Sequence, residues 1–408
     1  MTHKLSINRE RLLGQLEQLA GVNRLADRSC CRLALTDADR RGRDLVVHWM
    51  REAGLEVRID RIGNIFGVRA GQTSEPPVMT GSHIDTVATG GAYDGCYGVL
   101  AGLEAIRTLN EAGHRTRRPL VLAIFTNEEG VRFQPDMMGS LVFAGDLPLE
   151  DALSARAEDG ALLGEELKRI GYAGEDCSEL RPRAYVELHI EQGPILHEEG
   201  GTLGAVQDLQ GISWHELIIT GTSNHAGTTP MRLRRDAGYC AARISVFVRE
   251  LARRMGGSQV GTVGVTRLVP NLVNVIAREA RITVDLRNTD DGLLNEAEEE
   301  LRRFVELMMR EEGVTIEMRQ LARTPPVRFD EGVLGAILKV AGTLGHDIRR
   351  MTSGAGHDAQ MLARICPAAM IFVPSVGGIS HNPREHTEPE HLALGANVLL
   401  HTLVELAQ

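Results

Sequence analysis

His83, Asp94 and Glu129 stand in three short segments, Gly81-Ser82-His83-Ile84-Asp85, Ala92-Tyr93-Asp94-Gly95 and Thr126-Asn127-Glu128-Glu129-Gly130. Their side chains are of the kind that bind divalent ions. Zinc, manganese and related metals take neutral imidazoles and ionised carboxylates, and a two-metal hydrolytic site also needs a short carboxylate that bridges both ions. Asp94, set among glycines, suits the bridge, because glycines allow turns that aim its carboxylate inward.

Each segment has a chemical reading and a plain one. At an extended strand end His83 and Asp85 point to the same side, so Asp85 can accept the second imidazole N–H and fix the metal-binding tautomer. A surface histidine in an ordinary turn, and an Asp94 bonded to its own backbone, are the plain readings. Leu120 to Phe125 is an apolar run followed by Glu128 and Glu129, which sets two carboxylates at the carboxyl edge of a buried strand. Neighbouring side chains diverge, so one of the pair can bind metal while the other acts as general base toward water. A solvated acidic loop has the same composition. In Ala184-Tyr185-Val186-Glu187-Leu188-His189-Ile190-Glu191 the polar residues alternate with apolar ones, so Glu187, His189 and Glu191 share a face and compete for a ligand role, and a half-exposed strand reads the same way. In Ile379-Ser380-His381-Asn382-Pro383-Arg384-Glu385-His386 two histidines, His381 and His386, compete likewise.

The elements that carry these segments change character twice. Strands at Val78 to Ile84, Leu120 to Phe125 and Ala184 to Ile190, with a helix from Gly98 to Leu109, give an α/β pattern up to about residue 209. From Ser213 to Thr324 the order is strand, helix, strand, strand, helix, strand, the ferredoxin-like βαββαβ arrangement. There Ala280, Ile282, Val284 and Leu286 alternate at period two, and Leu293, Ala297, Leu301, Val305 and Met308 recur at helical spacing. After Pro325-Pro326 the α/β character returns with a helix near Val333 to Leu344, the strand Ala368 to Val373 and a closing helix near His391 to Leu406. The expected organisation is a discontinuous α/β domain, residues 1–210 and 325–408, with residues 211–324 inserted as an α+β unit. A cleft between the two is the expected site, with Gly211 and Pro325-Pro326 as hinge candidates.

Bulk composition is that of a soluble globular chain: 408 residues, 43% hydrophobic, 25% charged, formal charge −10. The acidic balance argues against nucleic acid or an anionic membrane as partner. The segment from Met1 to Glu10 has no continuous apolar stretch, and no run is long enough to cross a bilayer, so a cytoplasmic protein is expected. The six cysteines lack Cys-x-x-Cys spacing and are expected as reduced thiols.

Taken in order, the segments resemble the hydantoinase/carbamoylase family of dinuclear amidohydrolases, a branch of the aminoacylase and carboxypeptidase-type metallopeptidases. The residues that carry the resemblance are Gly81 to Thr86, Tyr93-Asp94-Gly95, Asn127 to Gly130, Glu187 to Gly193, Asn224 to Met231, Ser353-Gly354-Ala355-Gly356-His357-Asp358-Ala359 and Gly378 to Pro383. It spans nearly the whole chain. The resemblance implies two divalent ions per subunit, zinc first, with manganese, cobalt or nickel as alternatives. One would be held by His83, Asp94 and His189, the other by Asp94, Glu129 and His381. It further implies Glu128 as general base and Asp85 as the residue that orients the metal-binding histidine. Gln192 and His357 would contact the ureido group or the transition state, Asn274 and Arg287 the substrate carboxylate, and His225 the developing oxyanion. His225 would act from a second subunit, so a homodimer is implied, with the inserted unit as dimerisation and lid domain.

The implied reaction is hydrolysis of the ureido C–N bond of an N-carbamoyl-L-amino acid, with allantoate and then N-carbamoyl-β-alanine as alternative substrates. Two other classes compete. A nicotinamide-dependent oxidoreductase would need a Gly-x-Gly-x-x-Gly turn, and neither Gly95-Cys96-Tyr97-Gly98 nor Gly354-Ala355-Gly356-His357 supplies one. A non-catalytic metal- or peptide-binding homologue would be expected to lose the base, and Glu128 is present.

Overall fold

A computed structural model describes residues 5–408; Met1 to Lys4, the first residues of the segment read for a leader, lie outside the described residues. The chain divides into two compact units, Met1–Gln207 with Phe329–Gln408, and Asp208–Arg328.

The strands in chain order are β1 (Glu56–Ile59), β2 (Ile65–Arg69), β3 (Val78–His83), β4 (Leu120–Phe125), β5 (Ala184–Ile190), β6 (Gly204–Leu209), β7 (Gly211–Thr220), β8 (Val260–Val269), β9 (Glu279–Asn288), β10 (Thr315–Thr324), β11 (Val327–Arg328), β12 (Arg349–Ser353) and β13 (Ala368–Val373). The larger sheet runs β1-β2-β4-β3-β5-β13-β6-β11, with β12 paired to β6. Its centre, β4-β3-β5-β13, is parallel. Every residue of those four strands is buried. That explains their near-continuous apolar sequence: helices on both faces of a parallel sheet leave no face for water. The helix Cys96–Glu111 packs on β3 and β5, and the closing helix Pro389–Leu406 packs against it. The alternative reading of β5 as a half-exposed strand is excluded, since the strand is buried along its whole length. Around the parallel centre, β1, β2 and β6 pair antiparallel. They are short, and β1 is only partly buried, so their sequences carry little periodic signal.

The smaller unit holds a four-stranded antiparallel sheet in the order β10-β7-β9-β8. The helices Ala237–Met255 and Asp291–Glu312 lie between β7 and β8 and between β9 and β10 in sequence. Their apolar stripes and the inward residues of β7 and β9 form one core, including Leu217, Ile244, Val248, Ile282, Val284, Leu286, Leu301 and Val305. In the second helix the buried stripe is Leu294, Ala297, Leu301, Val305 and Met308. Leu293, expected in that stripe, is 45% exposed. It sits in the first turn, where Asp290 caps Leu293 N–H and its neighbour Leu294 takes the inward direction. Among the described residues no helix is long and apolar enough to cross a membrane.

Candidate metal centre

The four buried parallel strands end together, and their carboxyl ends and following loops carry the site. His83 is the last residue of β3, Glu128 and Glu129 follow β4, His189 lies in β5 with Gln192 just beyond, and His381 lies on the loop after β13. Asp94 stands on the turn that opens the helix Cys96–Glu111. Ligands at the carboxyl edge of parallel strands are the general pattern for α/β sheets.

Asp94 is the centre of the arrangement. Its Oδ1 lies 3.6 Å from Nε2 of His83 and 3.2 Å from Nε2 of His189. Its Oδ2 lies 3.1 Å from Nε2 of His381, which is itself 3.5 Å from Glu129 Oε2. The ligand atoms of His83, Asp94 and His189 all fall within 4.8 Å of one another, as do those of Asp94, Glu129 and His381. One carboxylate thus faces two sets of nitrogen and oxygen donors, one through each oxygen. The other nitrogens of two of the imidazoles are held from behind: Nδ1 of His83 donates to the main-chain carbonyl of Asp85 at 2.9 Å, and Nδ1 of His189 to that of Ile190 at 2.8 Å. A carbonyl only accepts, so Nδ1 carries a proton in both rings and Nε2 is the atom turned toward Asp94, that of His189 also lying 3.0 Å from Gly95 N. This donor set fits divalent ions.

The electrostatics point the same way. Burial opposes protonation of His83, but Glu128, Asp94 and Asp85 outweigh it and hold its pKa well above the ordinary value. Burial likewise works against the charged form of Asp94, and bonds from His189, His381 and His83 nevertheless keep it well below the usual carboxylate range. Glu129 is pushed up to about 7 by burial and by Asp94. His381 is raised to about 9, chiefly by Asp94. Negative charge is therefore in local excess, and cations relieve such an excess.

Glu128 is buried, with Oε2 3.3 Å from Nε2 of His83. Burial lifts its pKa well above the ordinary value. Asp85 does not hold the His83 ring with its side chain, as its spacing suggested; its Oδ1 is 4.0 Å from Nδ1. The carboxylate instead accepts the main-chain N–H groups of Glu128 and Glu129, both at 3.3 Å. Asp85 thus orients Glu128 and Glu129, and its backbone orients the imidazole.

The competing residues turn elsewhere. Glu187 accepts from Ser82 Oγ at 2.6 Å and from Ala359 N at 2.8 Å. Glu191 accepts from Ile195 N and Leu196 N, and the exposed His386 lies 3.5 Å from Glu388. Glu187, His189 and His357 form a further set of close donors, but Nε2 of His357 is engaged by Ser353 Oγ at 3.0 Å. Gln192 reaches Asp94 Oδ2 through Nε2 at 2.9 Å, while its buried Oε1 has no partner within the protein. In the smaller unit, Nδ1 of His225 accepts from Gly227 N and Thr228 N, which leaves Nε2 as the donor. The backbone of Asn274 accepts from Ala226 N at 2.9 Å. The guanidinium of Arg287 forks onto Asp285 of its own strand.

Two residues that sequence reading passed over belong to the larger unit's site. Glu385 and Ser380 bind each other at 2.9 Å, and Ser380 Oγ lies 3.3 Å from Asp94 Oδ2. Glu385 sits in a polar loop between two histidines, and nothing in its local sequence marks it as buried.

The same chain is legible by comparison. Residues 79–405 match the family described as peptidase family M20/M25/M40. An N-carbamoyl-L-amino-acid amidohydrolase from Rhizobium meliloti is 40% identical over 408 residues, covering 98% of this chain and 97% of its own. An allantoate amidohydrolase from Bacillus subtilis is 35% identical over 411 residues, covering 99% of each. Among solved structures, a hydantoinase/carbamoylase family amidase from Burkholderia multivorans is 45% identical with a TM-score of 0.96, covering 99% of this chain and 98% of its own. A match over the full length, in a chain that gathers metal-ligand side chains at the ends of its parallel strands, settles the kinship: the protein belongs to the M20/M25/M40 peptidase family, in its hydantoinase/carbamoylase branch.

Proposed function

We propose that the chain hydrolyses the ureido C–N bond of an N-carbamoyl-L-amino acid with two divalent ions, releasing the amino acid, carbon dioxide and ammonia. The observation that supports this most is the bridging geometry of Asp94, with donors on both oxygens and the buried carboxylate of Glu128 beside them. His83, Asp94 and His189 would hold one ion, and Asp94, Glu129 and His381 the other. The ions would supply Lewis acidity and acidify water. Glu128, held in place through Asp85, takes the proton from the attacking water and returns it to the leaving nitrogen. The unpartnered Oε1 of Gln192 is an acceptor suited to a ureido N–H. His357, with its pKa pushed well down by burial, stays neutral beside the site.

To the smaller unit, a ferredoxin-like insertion by its strand order, we assign dimerisation, closure over the substrate, and the groups that read its acid end. Arg287 and Asn274 bind the carboxylate, Arg287 turning to it the planar fork that otherwise rests on Asp285. His225 donates from Nε2 to the oxyanion, and it does so from the second copy. Edge strand β8, with Val260 46% and Val265 36% exposed, and Tyr239 and Val246 exposed at 48% and 56% on the helix Ala237–Met255, supports an interface between two copies, because an unpaired apolar edge is a pairing surface.

Allantoate is the second reading, supported by the Bacillus subtilis relative; it too presents a ureido group and a carboxylate. The deciding experiment measures ammonia release from N-carbamoyl-L-amino acids, allantoate and N-carbamoyl-β-alanine, before and after chelation and after zinc or manganese is restored. Chelation should abolish turnover and metal restore it. Turnover untouched by complete metal removal refutes the proposal, and the preferred substrate decides between the two readings.

A further inference from the structure

We infer that Glu385 is a positioning residue that clamps the Asp94 turn to the His381 loop and so builds the half-site formed by Asp94, Glu129 and His381. The inference rests on the two-ion reading above. Glu385 is only 7% exposed, and its carboxylate is spent on two segments that lie far apart in sequence. Oε1 accepts the main-chain N–H groups of Tyr93 at 2.8 Å and Asp94 at 3.3 Å. Oε2 accepts from Ser380 Oγ at 2.9 Å, and Ser380 immediately precedes His381. The Ser380 hydroxyl also stands 3.3 Å from Asp94 Oδ2. One carboxylate therefore fixes the backbone of the bridging ligand and the loop of the histidine that faces it. Gly91 belongs to the same device: a β-carbon there would overlap the Glu385 carboxylate. A second tie, from Thr89 Oγ1 to the main-chain carbonyl of His381 at 3.2 Å, joins the same two segments.

Nothing in this geometry requires Glu385 to touch substrate or metal. His83 and His189 are anchored separately, by the carbonyls of Asp85, just beyond β3, and of Ile190 on β5. Asp94 serves both half-sites, whereas the Ser380–His381 loop serves only one, so loss of the clamp should weaken the half-site of His381 more than that of His83 and His189. Neighbours that orient metal ligands commonly contribute about 10- to 100-fold in metal affinity.

The test titrates metal-free protein with zinc, following stoichiometry by elemental analysis and affinity by calorimetry, for wild type, Glu385→Ala, Glu385→Gln and Ser380→Ala. Wild type should take up two ions. Glu385→Ala should bind one ion about 10- to 100-fold more weakly and the other with a clearly smaller loss, with the fold retained by circular dichroism. Glu385→Gln keeps an acceptor for the two N–H groups and should recover most of that loss, while Ser380→Ala should show a smaller loss at the same ion. Two ions bound with wild-type affinities in Glu385→Ala overturn the inference, as does equal weakening of both ions. Should Glu385→Ala not fold, Ser380→Ala decides: wild-type affinity for both ions there overturns it. A wild type that binds fewer than two ions instead overturns the two-ion reading.

Discussion

A β-carbon at Gly95 would lie 2.5 Å from both Cδ2 and Cε1 of His83. The residue also adopts φ +63°, which side chains other than glycine's rarely tolerate. The glycine after Asp94 is thus the space that the His83 imidazole occupies. Gly95→Ala should displace that ring, lower metal affinity at least about tenfold and reduce kcat/KM with it. Elemental analysis after dialysis checks this, and full metal content in the variant refutes it.

Glu128 accepts no ligand role in the proposed centre, yet it is buried against it. Glu128→Gln should keep both ions while kcat falls by about 10²- to 10⁴-fold, the usual contribution of a general base. Near-wild-type turnover would remove it from that role.

If His225 serves the partner's active site, two inactive variants should repair each other. His225→Ala and Glu128→Gln, each nearly inactive as a homodimer, should regain turnover when unfolded together and refolded as a mixture, because one site of each mixed dimer has both groups. A mixture no more active than its parents, with mixed dimers demonstrated by mass, excludes action in trans.

Charge on the exposed apolar surface of the smaller unit should separate the copies. Val265→Lys on β8 and Val246→Glu on the helix Ala237–Met255 are each expected to shift the mass measured by light scattering toward one chain, since unpaired charges at a sheet edge block pairing. Unchanged mass in the double variant places the interface elsewhere.

His215, on β7 of the smaller unit, offers a pH test. It is buried, its Nε2 lies 2.8 Å from Ser213 Oγ, and Nδ1 has no partner. Burial lowers its pKa below the ordinary 6.5. The unfolded chain therefore binds this proton more readily than the folded unit. Stability is unaffected well above pH 6.5, falls as pH drops through that value, and levels off below the depressed pKa. Relative to the intrinsic exchange rate at each pH, amide protection in β7 should be weaker at pH 5 than at pH 7, and His215→Gln should flatten the change. An equal acid response in both proteins refutes the assignment.

Much of the larger unit's site was legible before folding. Buried parallel strands are written as unbroken apolar runs, so β3, β4, β5 and β13 and the side chains at their ends stood out. The period-two face of β9 was equally plain. The choice of Leu294 over Leu293 was not, because both fit helical spacing and only the cap at Asp290 sets the phase.

Chain composition and local periodicity alone determined which donor types were available, at the ends of which strands, because burial and backbone period act on neighbouring residues. Tertiary structure decided which donors converge. It gave Asp85's carboxylate to the Glu128 and Glu129 amides, turned Glu187 toward Ser82 and Ala359, and set Glu385 under the Asp94 turn. Those bonds join residues up to 292 positions apart, and a buried carboxylate takes whichever donors the fold brings within reach. No local pattern encodes that pairing, so it appears only once the strands are in register.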